Sequence, residues 1–263
     1  MLKRLLLTLA LLILTAVVIL AAVTLYDANL GTTAADAANV TYPAADGAEL
    51  AGYLAAPPDA GPHPTVLMLH EWWGLNHDIA LLADALAAEG FVVLVPDAYR
   101  GRVATQVPGA LALRLGTAES QIAADIDAGL AYLRGLPDVD PARVASLGFC
   151  FGGEQSLQLA LRQPDQLITM IMLYGSMETD PAALQPLTQL DPILGIFGGA
   201  DAQIPVAEVR AFEDALAAAG VAHTVTVYPT MGHAFVTPDN YDQPGEPGDA
   251  WSQLVTFLNT HAR

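Results

Sequence analysis

The stretch Val144-Ala145-Ser146-Leu147-Gly148-Phe149-Cys150-Phe151-Gly152-Gly153 decides the fold of this chain. Residues 143–149 read as a strand, and residues 153–162 read as a helix that starts directly after it. Between them stands Gly-x-Cys-x-Gly, the spacing of a nucleophile elbow with cysteine in place of serine. A sharp strand-to-helix turn holds its central residue in a strained backbone conformation, and glycines at the flanks avoid steric collision. The turn also sets the sulfur at a helix N-terminus, whose dipole and free N–H groups favour negative charge. Taken alone, Cys150 reads as an ordinary buried cysteine. The glycines and the strand-then-helix setting argue for the elbow.

Working outward, the same alternation continues on both sides. Residues 40–42 and 49–54 flank Asp46-Gly47, a hairpin signal. Residues 65–69 (TVLML) and 91–95 (FVVLV) are short continuous apolar runs, as expected of strands buried on both faces. Between them, residues 77–89 predict a helix stopped by Gly90. Thr117 can cap a helix in which Ile122, Ile126, Leu130 and Leu133 share a face. Strands at 167–174, 193–197 and 224–228 alternate with a helix at 206–219, and a helix at 249–258 closes the chain. Such alternation predicts an α/β fold, a mostly parallel sheet with helices on both faces. No internal repeat and no second domain boundary interrupt residues 39–263, which read as one domain.

The beginning of the chain reads differently. Lys3 and Arg4 precede an apolar run over residues 5–23, broken only by Thr8 and Thr15, which predicts a hydrophobic N-terminal helix. An uncleaved anchor and a cleaved signal peptide both fit residues 1–25, and a buried core helix fits poorly because no polar face is present. Either leading reading implies a membrane partner or export, and an extracytoplasmic domain, because Lys3 and Arg4 hold the N-terminus inside. Residues 26–38 (YDANLGTTAADAA) are small and polar and predict a flexible tether. Asn39-Val40-Thr41 is a glycosylation sequon, which matters only in a eukaryotic secretory pathway.

Composition excludes several functions. The chain has 10 basic and 28 acidic residues, a net charge of −18, and its arginines are scattered. Nucleic-acid binding needs clustered cations, so it is set aside. A single cysteine excludes an intrachain disulfide and a cysteine-based metal site. His70-Glu71 lacks the second histidine of a zinc-protease helix, the only lysine is Lys3, so no P-loop exists, and no Gly-x-Gly-x-x-Gly follows a strand. No metal and no cofactor is implied.

An elbow nucleophile needs an acid and then a histidine further along the chain. Asp201 follows the strand predicted at 193–197, and His233 follows the one ending at residue 228. Both stand at carboxyl ends of strands, where such sheets bind ligands. In this reading His233 carries the proton, and Asp201 fixes its tautomer and stabilises the imidazolium. Each residue alone also reads as an ordinary loop or turn residue; the order of the pair gives it weight.

With these residues in place, the chain from about residue 44 to 258 resembles the dienelactone hydrolase family of the α/β-hydrolase superfold. The likeness lies in His70-Glu71-Trp72-Trp73-Gly74-Leu75-Asn76, in the cysteine elbow, in the Asp201 and His233 loops, and in Pro96-Asp97-Ala98-Tyr99. The resemblance implies that Cys150 is the nucleophile, His233 the base and Asp201 its partner. It further implies that Glu71 contacts the resting thiol, that the N–H groups of Phe151 and Trp72 form the oxyanion hole, and that His70 holds the loop. Two arginines that hold a substrate carboxylate in dienelactone-cleaving members correspond to Gly101 and Thr237 here. Arg100 and Arg102 flank the first position, so a cation can still reach the site, with Trp73 and Tyr99 as further substrate-binding candidates. The expected activity is hydrolysis of a small-molecule ester or lactone. A catalytically silent binding domain and an acyltransferase or peptidase on the same fold are the alternatives.

Overall fold

The computed structural model describes residues 2–263, with the side chains of the first helix described in part. Eight strands appear in chain order: β1 (Val40–Pro43), β2 (Glu49–Ala55), β3 (His63–Leu69), β4 (Val92–Pro96), β5 (Val139–Phe149), β6 (Thr169–Leu173), β7 (Ile193–Gly198) and β8 (His223–Tyr228). They form one sheet in the order β1-β2-β4-β3-β5-β6-β7-β8. The β1–β2 and β2–β4 pairs are antiparallel, and every pair from β4 to β8 is parallel. The step from β3 out to β4 and back to β5 reverses the direction in which the sheet grows. A crevice therefore opens at the carboxyl ends of the central strands, and β5 delivers Cys150 into it.

The helices are α1 (Leu2–Leu30), α2 (His77–Ala88), α3 (Val107–Gly116), α4 (Glu119–Arg134), α5 (Phe151–Arg162), α6 (Val206–Ala219) and α7 (Glu246–His261). Local chemistry sets their ends. Asn76 accepts the Ile79 N–H to start α2, and Gly220 stops α6 in the left-handed conformation (φ 76°). Strands β4, β6 and β7 are buried along their whole length, as expected of apolar runs covered on both faces. The expected α/β-hydrolase architecture is the one observed.

Two departures concern the flank beside β4. Helix α3 was not expected from the sequence. Its Pro108-Gly109 pair looks like a breaker, yet proline in the first turn of a helix loses no hydrogen bond. The second lies in residues 26–38, read as a flexible tether, where Asp27, Thr33 and Ala34 make contacts with the loop that leads into α3. Asp27 is buried, and its carboxylate accepts the Thr105 N–H at 3.3 Å, the Thr105 hydroxyl at 2.7 Å and the Gln106 N–H at 3.3 Å. It thereby caps the start of α3 from outside. Ala34 is fully buried and donates its N–H to the Gly101 carbonyl, while Thr33 bridges to Arg102.

Helix α1 covers most of the segment read as anchor or signal; Met1 and several side chains of that segment lie outside the described ones. Among the described residues, no helix is long and apolar enough to cross a membrane.

Candidate active site

Cys150 sits between β5 and α5 with φ 54° and ψ −116°, the strained turn the elbow spacing requires. The flanking glycines are sterically obligatory. A Cβ on Gly148 would collide with the Gly152 carbonyl, and one on Gly152 with the Leu69 carbonyl of neighbouring β3. Tyr174 and Ala234 also have positive φ (41° and 53°) and line the same cavity as Cys150, so backbone strain concentrates around this crevice.

Three residues from three strand ends meet there in one hydrogen-bonded chain. His233 Nε2 lies 3.0 Å from Cys150 Sγ, and its Nδ1 lies 2.7 Å from Asp201 Oδ2. Asp201 is buried, and its other oxygen accepts the N–H groups of Gln203 and Ile204 at 2.7 and 3.1 Å. With Asp201 accepting at Nδ1, the proton belongs on that nitrogen, and Nε2 presents its lone pair to the thiol. Tyr174 packs edge-on against the His233 ring, centroids 5.3 Å apart, and backs it from the protein side.

The cavity over the sulfur encloses about 420 Å³ and is lined by Glu71, Trp72, Trp73, Arg114, Glu154 and Gln203, among others. That size suits a small organic substrate. Burial pushes the Cys150 thiol up to about 12, with the nearby Glu71 carboxylate the next contributor, and the Phe151 N–H opposes the shift only in part. The expectation that the helix start favours a thiolate is thus outweighed, because desolvation and surrounding carboxylates exceed what one N–H supplies. Burial, with Asp78 nearby, likewise raises the Glu71 carboxyl to about 7.

Behind the cavity, the buried His70 ring links two strand-end loops. Its Nδ1 faces the Glu71 carbonyl at 2.6 Å, and its Nε2 accepts the Ala98 N–H at 3.2 Å. Burial lowers its pKa, in keeping with a neutral ring that must accept at one nitrogen. The Trp72 N–H has no backbone acceptor among the described residues, and the Phe151 N–H opens α5 beside the sulfur. The Phe151 N–H faces the Cys150 sulfur.

Several sequence-based assignments fail at the substrate side. Arg100 is turned away: it binds Asp125 through two bonds of 2.7 and 2.8 Å and pairs with Asp46 at 2.9 Å. Arg102 donates to the Tyr99 carbonyl and to the Thr117 hydroxyl, and lines a separate small cavity beside Asp27. Tyr99 is fully buried and stacks on Phe151 (centroids 5.5 Å apart), so it supports the elbow instead of touching a ligand. Trp73 does line the cavity, edge-on to Trp72 at 5.2 Å. The cation that reaches the cavity is Arg114 from α3, lying over the Phe151 ring at 5.2 Å and paired with Glu119 and Glu154. The sequence signalled neither Arg114 nor its helix.

The sheet order and the strand-to-helix elbow define an α/β-hydrolase-like fold, with Cys150 at the elbow turn. The sequence description of the dienelactone hydrolase family matches residues 50–262, and the chain belongs to that family. Among relatives, a protein named "Putative carboxymethylenebutenolidase" from Methylorubrum extorquens is 32% identical over 240 residues, covering 86% of this chain and 81% of its own. A protein of the same name from Synechocystis is 30% identical over 231 residues, covering 82% of this chain and 93% of its own. A crystal structure titled as a putative dienelactone hydrolase from Klebsiella pneumoniae matches with a TM-score of 0.71 at 27% identity, over 85% of this chain and all of that one. The chain is accordingly a hydrolase.

Proposed function

We propose that this hydrolase cleaves neutral carboxylic esters or lactones through a thioester on Cys150. The observation that carries the proposal is the chain from Cys150 Sγ to His233 (3.0 Å) to Asp201 (2.7 Å) at the floor of the cavity. As Sγ attacks the carbonyl carbon, His233 Nε2 takes its proton, so the high thiol pKa matters only until substrate is bound. The carbonyl oxygen becomes an oxyanion that accepts from the Phe151 and Trp72 N–H groups. When the tetrahedral adduct collapses, His233 returns the proton to the departing alkoxide, leaving an acyl thioester. Water then attacks with His233 as base, and the second collapse releases the carboxylic acid and restores the thiol. Asp201 holds Nδ1–H throughout and stabilises the imidazolium.

The preference for uncharged substrates rests on the lining. Glu71 and Glu154 face the cavity, and Arg114, the cation beside them, is shared between Glu119 and Glu154. Trp72 and Trp73 add apolar surface beside the nucleophile, where an acyl or aryl group can pack. The net charge of −18 further repels anions. The test compares kcat/KM for neutral aryl esters and lactones with that for a carboxylate-bearing dienelactone at matched ionic strength. Neutral substrates should win, and Thr237→Arg should narrow the gap; a wild-type preference for the dienelactone overturns the substrate assignment.

We also propose that the N-terminal segment holds the domain at the outer face of a membrane. Support comes from the apolar run over residues 5–23 behind Lys3 and Arg4, and from Leu11, Leu12 and Ile19 of α1, which are 63%, 62% and 59% exposed. External protease should degrade the full-length chain in spheroplasts; complete protection contradicts the placement.

A further inference from the structure

Within the catalytic cavity, one ion pair is left open. Arg114 Nη2 on α3 and Glu154 Oε1 on α5 stand 3.8 Å apart, and both side chains line the cavity that holds Cys150. That separation is too long for a direct hydrogen bond. Arg114 cannot simply swing closer, because its Nη1 is paired with Glu119 and its guanidinium lies over the Phe151 ring at 5.2 Å. Burial raises the Glu154 carboxyl, which Arg114 lowers and Glu119 raises through charge, and among the described residues no donor stands within bonding distance of it. Arg114 therefore keeps a donor, and Glu154 an acceptor, turned to the same gap.

The gap selects by chemistry. A carboxylate placed there meets Glu154, and an ammonium meets Arg114, so either charge is opposed by one wall. A carbonyl accepts from Arg114 but offers Glu154 nothing. A hydroxyl both donates and accepts, and one oxygen at ~2.8 Å from each group spans the gap. The place is also close to the reaction. Glu154 follows Cys150 by one helical turn, and its N–H donates to the Cys150 carbonyl at 3.2 Å. We propose that Arg114 and Glu154 form a hydroxyl-binding subsite, and that the substrate is a neutral ester or lactone with a hydroxyl a few bonds from its reacting carbonyl. The proposal rests on the hydrolase reading above and names the substrate class within it. Two sources supply such a hydroxyl: a hydroxylated acyl chain, or a polyol as the alcohol. A site built to bond a hydroxyl discriminates against the analogue without one, because its polar groups are then left unpaired.

The test measures kcat/KM of the full chain on two matched pairs, ethyl 3-hydroxybutyrate against ethyl butyrate, and glycerol monobutyrate against propyl butyrate. In at least one pair the hydroxylated ester should be favoured on the order of tenfold, the size expected of a hydrogen bond to a charged group. The pair that shows the preference tells which side of the ester carries the hydroxyl. In Glu154→Leu the ratio should fall to within about twofold of one. Glu154→Gln keeps an acceptor oxygen and should retain most of the preference. Taking the ratio of two substrates on one variant cancels any loss of folded protein. If the parent turns over no ester or lactone, the hydrolase reading falls and takes this inference with it. If all four esters are cleaved and neither pair discriminates, the inference alone is overturned. A preference that survives in Glu154→Leu overturns it equally, because another group then holds the hydroxyl.

Discussion

The elbow and the α1–α3 flank lie on either side of one cavity, yet they are built on different principles. At the elbow, backbone sterics leave almost no freedom: Gly148 and Gly152 press against carbonyl oxygens, and Cys150 is held at φ 54°. On the flank, positions follow from side chains meeting across long sequence separations, such as Asp27 with Thr105 or Arg100 with Asp125. The first kind of structure imposes a residue type at a fixed spacing. The second imposes only a partner somewhere else in the chain. Substitutions should therefore act on chemistry and backbone at the elbow, and on orientation and docking at the flank.

The largest expected effect is chemical. Cys150→Ala and His233→Ala should each lower ester kcat/KM by about 10³-fold or more, as members of one catalytic unit do. Their thermal unfolding midpoints should stay near that of the parent, because neither side chain fills the sheet core. Activity within a few-fold of the parent in either variant would break the comparison at its stronger end. Gly152→Ala comes next. Its Cβ meets the Leu69 carbonyl, which belongs to a buried strand and cannot yield, so a loss of about 3 kcal/mol or more in stability is expected from chemical denaturation.

Glu71→Gln sharpens the electrostatic side. The Glu71 carboxyl is raised from 4.5 to about 7 in the fold, so its contribution is fully present below about pH 4.5 and lost as pH rises through 7. At pH 8 the charged side chain is a burden, and the glutamine variant should be more stable by roughly 2–3 kcal/mol, with the difference vanishing near pH 4. A pH-independent difference would show that burial of the charge is not the cause. The same change removes a carboxylate beside Cys150 and should speed alkylation of the free thiol at pH 8.

How far the sequence was legible follows the same division. The elbow, the order Cys150, Asp201, His233 and the alternating strands could be read because each rests on local spacing or periodicity. Helix α3 could not, because its Pro108-Gly109 start resembles a turn and its exposed face is apolar, which erases the amphipathic pattern. Arg114 was hidden with it. Arg100 and Arg102 stand beside the expected position in sequence, yet Asp125, Asp46 and Thr117 draw them off. The contacts of Asp27 were invisible for the same reason: it acquires its role only when Thr105 and Gln106 arrive.

On the flank the expected effects are smaller. Asp27→Ala removes an external cap and should cost about 1 kcal/mol, with faster hydrogen exchange confined to α3 and its preceding loop. Exchange that is unchanged there would mean that Asp27 does not hold the helix. Smallest of all, Arg102→Ala should leave KM for a neutral ester within about twofold, since the side chain faces another cavity. A large KM increase would return Arg102 to the substrate site.

The central claim is that Cys150 carries the acyl group. Mixing the protein with p-nitrophenyl acetate, quenching in acid during turnover and mapping peptides by mass spectrometry tests it most directly. An acetyl group is expected on the peptide containing Cys150, labile to hydroxylamine, accumulating in the parent and absent in Cys150→Ala. Turnover with no adduct on Cys150, or with the acyl group on another residue, would contradict it.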